Sequence, residues 1–223
     1  MAAITTSTSA SDWTVADMLE QLGNVPANRV RLIPAPGTAT EQDLLDLLDH
    51  QDRICELIDG ILVEKTMGYI ESLLAIALSG YLRDFVKTHK LGIILGEAGT
   101  LRILPRQVRI PDVSFISWEK FPGGKLPQVQ IPAVVPDLAV EVLSPGNTEG
   151  ELRRKLQDYF AAGVRLVWYI EAATRSAKVY TAPDRCTALD ETQSLSGGEV
   201  LPGFELALGD LFAEMEGRPG KSQ

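Results

Sequence analysis

The sequence predicts one α/β domain whose central mixed β-sheet is flanked by helices, and three observations support this prediction. The chain has 223 residues, 45% of them hydrophobic, which suits one large domain with a sizeable core. Residues 138–143 and 166–170 are near-continuous apolar runs separated by a helical segment at about 149–162, the pattern of a strand–helix–strand unit. Hairpin patterns elsewhere add antiparallel strands, so both kinds of pairing are expected in one sheet.

The two ends of the chain are predicted to lie outside this domain. Residues 1–11 carry no charge and consist mostly of Ala, Ser and Thr, and three prolines follow within the next thirty residues. We therefore expect residues 1–39 to form a flexible or irregular N-terminal arm. Residues 40–216 are predicted to form the single domain, and residues 217–223 a flexible tail.

The first half of the domain shows a helix, a hairpin and a long helix. Thr40 is suited to cap a short helix that carries leucines on one face. Residues 54–58 and 61–65 flank Asp59-Gly60, a dipeptide that favours a two-residue type I′ turn between antiparallel strands. From residue 69 to about residue 87 apolar side chains recur every three or four positions, which predicts a helix of roughly five turns.

The second half is predicted to contain most of the sheet. Apolar segments at 92–96, 100–104 and 113–116 indicate three strands, and a loop rich in Pro and Gly then leads into the apolar run at 138–143. The helix after this run should end at Gly163. A further strand near residues 177–180 and a short amphipathic helix near the C-terminus are expected to complete the domain.

Composition excludes several kinds of site and location. With two cysteines and two histidines, the chain lacks the residues for a disulfide framework or a Cys/His metal cage, so a metal would need oxygen ligands. No window is apolar enough to span a membrane, and the N-terminus has neither the basic start nor the apolar stretch of a signal peptide. We therefore expect a cytoplasmic protein without a membrane partner.

The distribution of charge leaves a phosphate-bearing substrate open. The net charge of −9 argues against non-specific binding of nucleic acid. Residues 60–183, however, carry fifteen Lys and Arg against twelve Asp and Glu, with a run of cations from Arg83 to Arg109. This run is a candidate for contacts to a nucleic-acid backbone.

Three charged residues in or beside the predicted sheet are candidates for a site. Glu141 lies in the middle of an apolar strand, where a carboxylate costs several kcal/mol unless a cation, a metal or donors compensate it. Asp112 follows Pro111 at the start of a neighbouring strand and is placed to reach the same region. Two carboxylates from two strands would suit magnesium, and Lys155, on the helix after the Glu141 strand, is the candidate positive partner.

Each of these residues also has a structural interpretation that the sequence alone leaves open. Asp112 is placed equally well to be a turn residue, and Lys155 to be a solvated helix residue. Glu141 could be explained by an edge position or by an ion pair with an arginine. Glu97 is placed to point into a cleft from a strand end, but the favoured interpretation is a turn carboxylate.

Several segments, in their order along the chain, carry a resemblance to a known family. They are residues 56–63 (ELIDGILV), 109–113 (RIPDV), 136–145 (PDLAVEVLSP), 162–164 (AGV), 167–170 (VWYI) and 201–204 (LPGF), together with Lys155 and Tyr159. Together they resemble the PD-(D/E)XK restriction-endonuclease-like nucleases, and more closely the Uma-two endonuclease family. The resemblance covers most of residues 54–212.

The resemblance implies a restriction-endonuclease-like core and a specific assignment of the site. Asp112 and Glu141 would coordinate Mg²⁺ or Mn²⁺, and Lys155 would orient or activate the attacking water. Glu56 would be a further acidic member of the site, although a hairpin strand often carries an outward-facing Glu. The family tends to have a histidine at the start of the long helix, where this chain has Glu71-Ser72.

Two functions from different classes remain open at this point. The first is a magnesium-dependent endonuclease that hydrolyses the phosphodiester bonds of nucleic acid, with DNA favoured over RNA. The alternative is a catalytically degraded nuclease-like fold that serves as a binding or assembly module in a homodimer. The acidic net charge and the missing histidine favour the alternative, whereas the three charged residues favour the first.

Overall fold

The structure, a computed structural model, describes residues 13–50, 54–66 and 68–216. The predicted tail at 217–223 lies outside the described residues. In chain order, the helices and strands are α1 (Val15–Gln21), α2 (Glu41–His50), β1 (Cys55–Ile58), β2 (Ile61–Glu64), α3 (Tyr69–His89), β3 (Gly92–Leu95), β4 (Leu101–Leu104), β5 (Gln107–Arg109), β6 (Val113–Ser117), β7 (Leu138–Leu143), α4 (Glu149–Ala162), β8 (Leu166–Glu171), β9 (Ser176–Ala182), β10 (Arg185–Asp190), β11 (Ser194–Ser196), β12 (Glu205–Ala207) and α5 (Leu208–Ala213).

A mixed sheet forms the centre of the molecule, as predicted. Its strand order is β10-β9-β8-β7-β6-β3. The neighbours β7 and β8 are parallel and are joined by α4, whereas the other strand pairs of this sheet are antiparallel. Helix α4 begins at the cap residue Thr148 and ends at Gly163, whose φ of 100° is the left-handed conformation that favours glycine. The predicted strand–helix–strand unit is therefore confirmed.

A second sheet, of order β2-β1-β5-β4, carries the predicted hairpin. Asp59 and Gly60 both have positive φ, 52° and 81°, as a two-residue type I′ turn requires. Strand β5 was not predicted, because the prolines at 105 and 111 made its short sequence look like a connection. It pairs with both β1 and β4 and so places Arg109 next to the first hairpin.

Residues 13–39, the described part of the predicted N-terminal arm, are more ordered than the sequence predicted. Helix α1 starts with a capping box between Thr14 and Asp17. Apolar side chains of α1 and the following turn pack against those of the first hairpin. The resulting cluster consists of Met18, Leu22, Val25, Val30, Ile58, Ile61 and Val63. Arg29 adds a buried ion pair to Glu151 of α4, with 2.7 Å between Nη2 and Oε1. The short apolar pattern of α1 explains why it was missed, and the domain boundary at residue 40 stays a prediction.

Strand β7 separates two hydrophobic clusters because its side chains alternate between the two faces of the sheet. Leu138, Val140 and Val142 pack on the α3 side, whereas Ala139 packs on the α4 side. Glu141 shares the α4 face with Ala139 by the same alternation. Within the described ranges, no helix is long and apolar enough to cross a membrane.

Candidate active site

Glu141 meets two side chains of α4. Its Oε2 accepts a hydrogen bond from Lys155 Nζ at 2.9 Å, and its Oε1 accepts one from the Tyr159 hydroxyl. Lys155 and Tyr159 are four residues apart, so they lie on the same face of the helix. Glu141 and Lys155 are each only 5% exposed. Lys155 is therefore not a solvated helix residue, and Glu141 does not lie at an edge of the sheet.

Glu56 of β1 contacts the same lysine from the other side. Its Oε1 lies 3.1 Å from Lys155 Nζ and accepts a hydrogen bond from the Ile110 amide at 3.0 Å. Its Oε2 accepts a hydrogen bond from Arg109 Nη1 at 2.8 Å. The side chain is buried, so the interpretation of Glu56 as an outward hairpin residue is wrong. The Lys155 ammonium thus bridges carboxylates from two different sheets.

Asp112 lies directly beside Glu141. Its amide donates to the Val140 carbonyl at 3.0 Å, and its Oδ2 accepts a hydrogen bond from the Val142 amide at 2.6 Å. These two bonds attach Asp112 to the residues immediately before and after Glu141. Its Oδ1 lies 2.7 Å from Lys65 Nζ in a buried ion pair. The structure thus brings together Glu56, Asp112, Glu141 and Lys155, the four residues that the sequence singled out.

Three further residues complete what we call the buried charge cluster, defined as Glu56, Lys65, Arg109, Asp112, Glu141, Lys155 and Asp158. Arg109 lies between Glu56 and Asp158 and contacts both carboxylates. Sequence analysis missed Lys65, which ends a hairpin strand, and counted Arg109 among the cations for substrate. The signal that could have found them is charge balance, because several buried carboxylates need several buried cations.

The cluster shifts the pKa values of its members in opposite directions. Burial alone would lower the pKa of Lys155, but the carboxylates of Glu141 and Glu56 outweigh burial and raise this pKa above its usual range. Burial raises the pKa of Glu141, and Lys155 opposes this rise only in part. Burial would also raise the pKa of Glu56, but Lys155, Arg109 and Lys65 lower it below its usual range. Lys155 is therefore a permanent ammonium ion at neutral pH, and two neighbouring glutamates differ in acidity.

A cavity of about 600 Å³ gives access to this cluster at Asp112. It lies between α3 and the turn that joins β3 to β4, and its lining includes Ser72, Ser79, Glu97 and Asp112. Glu97 therefore lines the cleft, the less favoured of its two interpretations. Ser72, one of the two residues at the helix start where the resemblance leads us to expect a histidine, lines the same cavity. Among the four residues that the sequence singled out, Asp112 is thus the one that lines this cavity.

The residues present fit one divalent ion held by two protein carboxylates. Across the described part of the chain, no group of three Asp, Glu, His or Cys side chains is arranged to hold a metal. Magnesium needs only one or two protein carboxylates, since water and substrate phosphate supply its other ligands. Asp112 Oδ1 accepts no hydrogen bond from any described residue, and Lys65 is its ionic partner. Asp112 and Glu141 thus offer the carboxylate oxygens that such an ion takes, with Lys65 already paired to Asp112 and Lys155 to Glu141.

A Glu56→Gln variant tests whether folding lowers the pKa of Glu56. Because folding lowers the pKa of Glu56 from about 4.5, its ionised form stabilises the native state above that pH, and this stabilisation is lost as the pH falls further. We expect the difference in free energy of unfolding between wild type and variant to be largest near pH 7 and to shrink below about pH 4.5. Urea unfolding at several pH values measures it, with Glu119→Gln as an exposed control. A difference that stays constant down to pH 3 would contradict the assignment.

Comparison with known proteins points to one class. A family model described as "Uma2: Putative restriction endonuclease" matches residues 41–209, well over half of the chain. Among solved structures, one described as a putative nuclease belonging to DUF820, from Anabaena variabilis ATCC 29413, matches with a TM-score of 0.67 and 19% sequence identity. The match covers 77% of this chain and 98% of that one, and at this identity it establishes the fold alone. None of the curated proteins matches the sequence significantly.

Proposed function

The chain belongs to the Uma2 restriction endonuclease family, and from this premise we propose that it hydrolyses phosphodiester bonds of nucleic acid with the help of a divalent cation. The observation that carries the proposal is the buried charge cluster, in which the Lys155 ammonium lies between Glu56 and Glu141, and Asp112 opens onto a cavity. We propose magnesium or manganese as the ion and DNA rather than RNA as the preferred substrate.

Asp112 and Glu141 are the residues that would hold the ion. When bound, a divalent ion would polarise the scissile phosphate and lower the pKa of a coordinated water. The hydrogen bond from the Val142 amide fixes the Asp112 carboxylate, and the Tyr159 hydroxyl fixes that of Glu141. Both carboxylates are therefore held in place before substrate binds, which reduces the reorganisation that the reaction requires.

Lys155 would act through its positive charge. Its raised pKa keeps the amine protonated at neutral pH, so it is suited to stabilise negative charge and to orient water. It is not suited to remove a proton as a general base. Glu56 would be a positioning residue, since it contacts Lys155 and is held in turn by Arg109.

The alternative, a binding or assembly module with a degraded site, is favoured by one specific observation. The ammonium of Lys65 already neutralises Asp112, at 2.7 Å from the carboxylate oxygen that accepts no hydrogen bond from the described residues. An ion would have to compete with this lysine. The alternative therefore predicts that divalent cations do not bind at Asp112 at all.

A magnesium titration distinguishes the two functions. A ligand bound by the native state raises the free energy of unfolding by about 2.7 kcal/mol at a concentration one hundred times its Kd. For a chain of this size, each kcal/mol of added stability raises the melting temperature by a few °C. The melting temperature should therefore rise by roughly 5–10 °C. We expect magnesium and manganese to produce this shift, zinc to show no preference, and magnesium to be required for cleavage of nucleic acid.

Asp112→Asn and Glu141→Gln should remove both the stabilisation and the cleavage, because each loses a charged ligand. Asp84→Asn, at an exposed carboxylate of α3 away from the cluster, is the matched control and should behave as wild type. If Asp112→Asn binds magnesium as tightly as wild type, the assignment of Asp112 and Glu141 as ligands of one ion is wrong. If no form of DNA or RNA is cleaved while the protein assembles with itself, the alternative function holds.

A further inference from the structure

The groove between α3 and β3 continues beyond the candidate active site. The cavity at Asp112 is lined by residues 72–79 of α3 and by residues 95–99 at the end of β3. A second cavity, of about 410 Å³, is lined by the second half of α3 and by the first residues of β3. Helix and strand are joined by only two residues and so run in opposite directions, and the α3 residues that line the two cavities recur every three or four positions along one face of the helix. The two cavities therefore follow one another along the contact between α3 and β3, which we call the α3–β3 groove. At 1.5 Å per helical residue, their centres lie about 16 Å apart.

The second cavity is positively charged. It is lined by three exposed cations, Arg83 and Lys87 of α3 and Lys90 directly after the helix. Among the described residues that line it, none is acidic. The neighbouring Asp84 instead lines a separate cavity with Phe85, Thr88 and His89, on a different side of the helix. The second cavity therefore brings three exposed cations together in a protein whose net charge is −9.

These three cations differ from the other cations in the run from Arg83 to Arg109, which the sequence suggested as contacts to a nucleic-acid backbone. Arg102 pairs with Glu41, and Arg109 is buried in the charge cluster. Arg106 donates to the carbonyl oxygens of Gly37 and Asp59. Arg102, Arg106 and Arg109 are therefore used within the fold, whereas Arg83, Lys87 and Lys90 face the second cavity.

A partly exposed tryptophan completes the second cavity. Trp118 is 38% exposed, and its amide donates to the Leu91 carbonyl at 3.0 Å, which ties it to the end of α3. Its ring lies edge-on to Phe121, with 5.9 Å between centroids. An aromatic face beside several cations is the combination by which proteins hold single-stranded nucleic acid, since bases stack on the ring while phosphates contact the cations. A duplex keeps its bases stacked on each other and cannot use the ring in this way.

We propose that the α3–β3 groove holds a single strand of nucleic acid, with phosphates at Arg83, Lys87 and Lys90 and a base on Trp118. Because the two cavity centres lie about 16 Å apart, the strand would span several nucleotides between them. The inference rests on the proposed function, because it takes nucleic acid as the substrate. It adds the substrate form, a single strand, and the path that the strand follows.

Binding of a labelled 20-nucleotide single strand, measured by fluorescence anisotropy without divalent cation, tests the groove. Each lost phosphate contact lowers the dependence of log K on log salt by about 0.7 for a single strand. We expect the triple variant Arg83→Ala, Lys87→Ala, Lys90→Ala to lower this slope by about two and to weaken binding at least tenfold. A matched variant that removes three exposed cations elsewhere, Arg153, Lys178 and Arg185, should bind as wild type.

Trp118→Ala separates stacking from charge. It should weaken single-strand binding about tenfold, a typical cost of losing one stacked base, while the salt slope stays unchanged. Equal losses for a duplex of the same sequence would overturn the proposal of a single strand. Binding that the triple variant does not weaken would overturn the groove itself. If the triple variant instead dissociates a dimer in sedimentation, the groove is an interface between two copies and the proposal is wrong.

Failure of the groove and failure of the proposed function give different results. If Lys155 variants lose cleavage while the triple variant binds as wild type, the function stands and the groove is wrong. If no substrate is cleaved but the triple variant and Trp118→Ala both weaken binding as expected, the groove stands and the protein binds single strands without cleaving them.

Discussion

Replacing Lys155 with methionine should reduce magnesium-dependent cleavage by about a hundredfold to a thousandfold and should also destabilise the fold. The loss of activity follows because a fixed positive charge that stabilises a developing negative charge is worth about this much. The loss of stability follows because Glu56 and Glu141 are both buried and both contact this ammonium. Removing one partner of a buried ion pair typically costs about 3–5 kcal/mol.

The two effects are separated by measuring kcat at low temperature, where circular dichroism shows the variant to be folded. Lys155→Arg keeps the charge and should restore much of the free energy of unfolding, but its larger planar group should not restore full cleavage. Lys178→Met, at an exposed lysine of β9, should leave both quantities unchanged. A folded Lys155→Met protein that cleaves at the wild-type rate would remove Lys155 from the mechanism.

Much of the fold and part of the site could be predicted from the sequence because the signals are local. The apolar run around Glu141 marks a buried strand, and the cost of a carboxylate there already implies a compensating partner. The alternation of side chains along β7 then places Glu141 on the α4 face of the sheet. Lys155 and Tyr159 lie four residues apart on α4 and so share one face of that helix. Here the local pattern and the tertiary contacts agree.

The rest of the site depends on pairings that are distant along the chain. Lys65 and Asp112 are 47 positions apart in the sequence, and Glu56 and Lys155 are 99 positions apart. All four residues of β1 are buried, so alternation within the strand cannot show that Glu56 faces inward. Only the pairing of β1 with the unpredicted strand β5 brings Glu56 to Arg109.

The N-terminal segment illustrates the same limit in a different form. Helix α1 has seven residues and one fully buried side chain within its bounds, which is too short a pattern for periodicity to stand out. The position of the whole segment depends on tertiary contacts, among them the two hydrogen bonds from Arg29 to Glu151 of α4. An ion pair across 122 residues leaves no local trace in the sequence.

Replacing Arg109 with methionine should destabilise the fold about as strongly as replacing Lys155 with methionine. The guanidinium is 2% exposed and contacts two buried carboxylates, those of Glu56 and Asp158, so its loss leaves both with fewer partners. We expect the free energy of unfolding to fall by about 3–5 kcal/mol and the melting temperature by roughly 10 °C or more. Urea unfolding at neutral pH measures the first quantity, and calorimetry the second. Arg31→Met, at a half-exposed arginine of the same N-terminal half, is the comparison and should cost much less.

The cause of this loss of stability can be tested by also removing the two carboxylates that Arg109 neutralises. If the cost comes from uncompensated carboxylates, then adding Glu56→Gln and Asp158→Asn to Arg109→Met should recover much of the lost free energy, because replacing a whole buried ionic group costs less than breaking it. If the cost comes instead from a packing defect at position 109, the triple variant should be no more stable than the single one. Cleavage should stay low in the triple variant, since Lys155 then lacks the Glu56 carboxylate that helps to hold it. Recovery of stability without recovery of activity would show that the same charges serve the fold through Arg109 and the chemistry through Lys155.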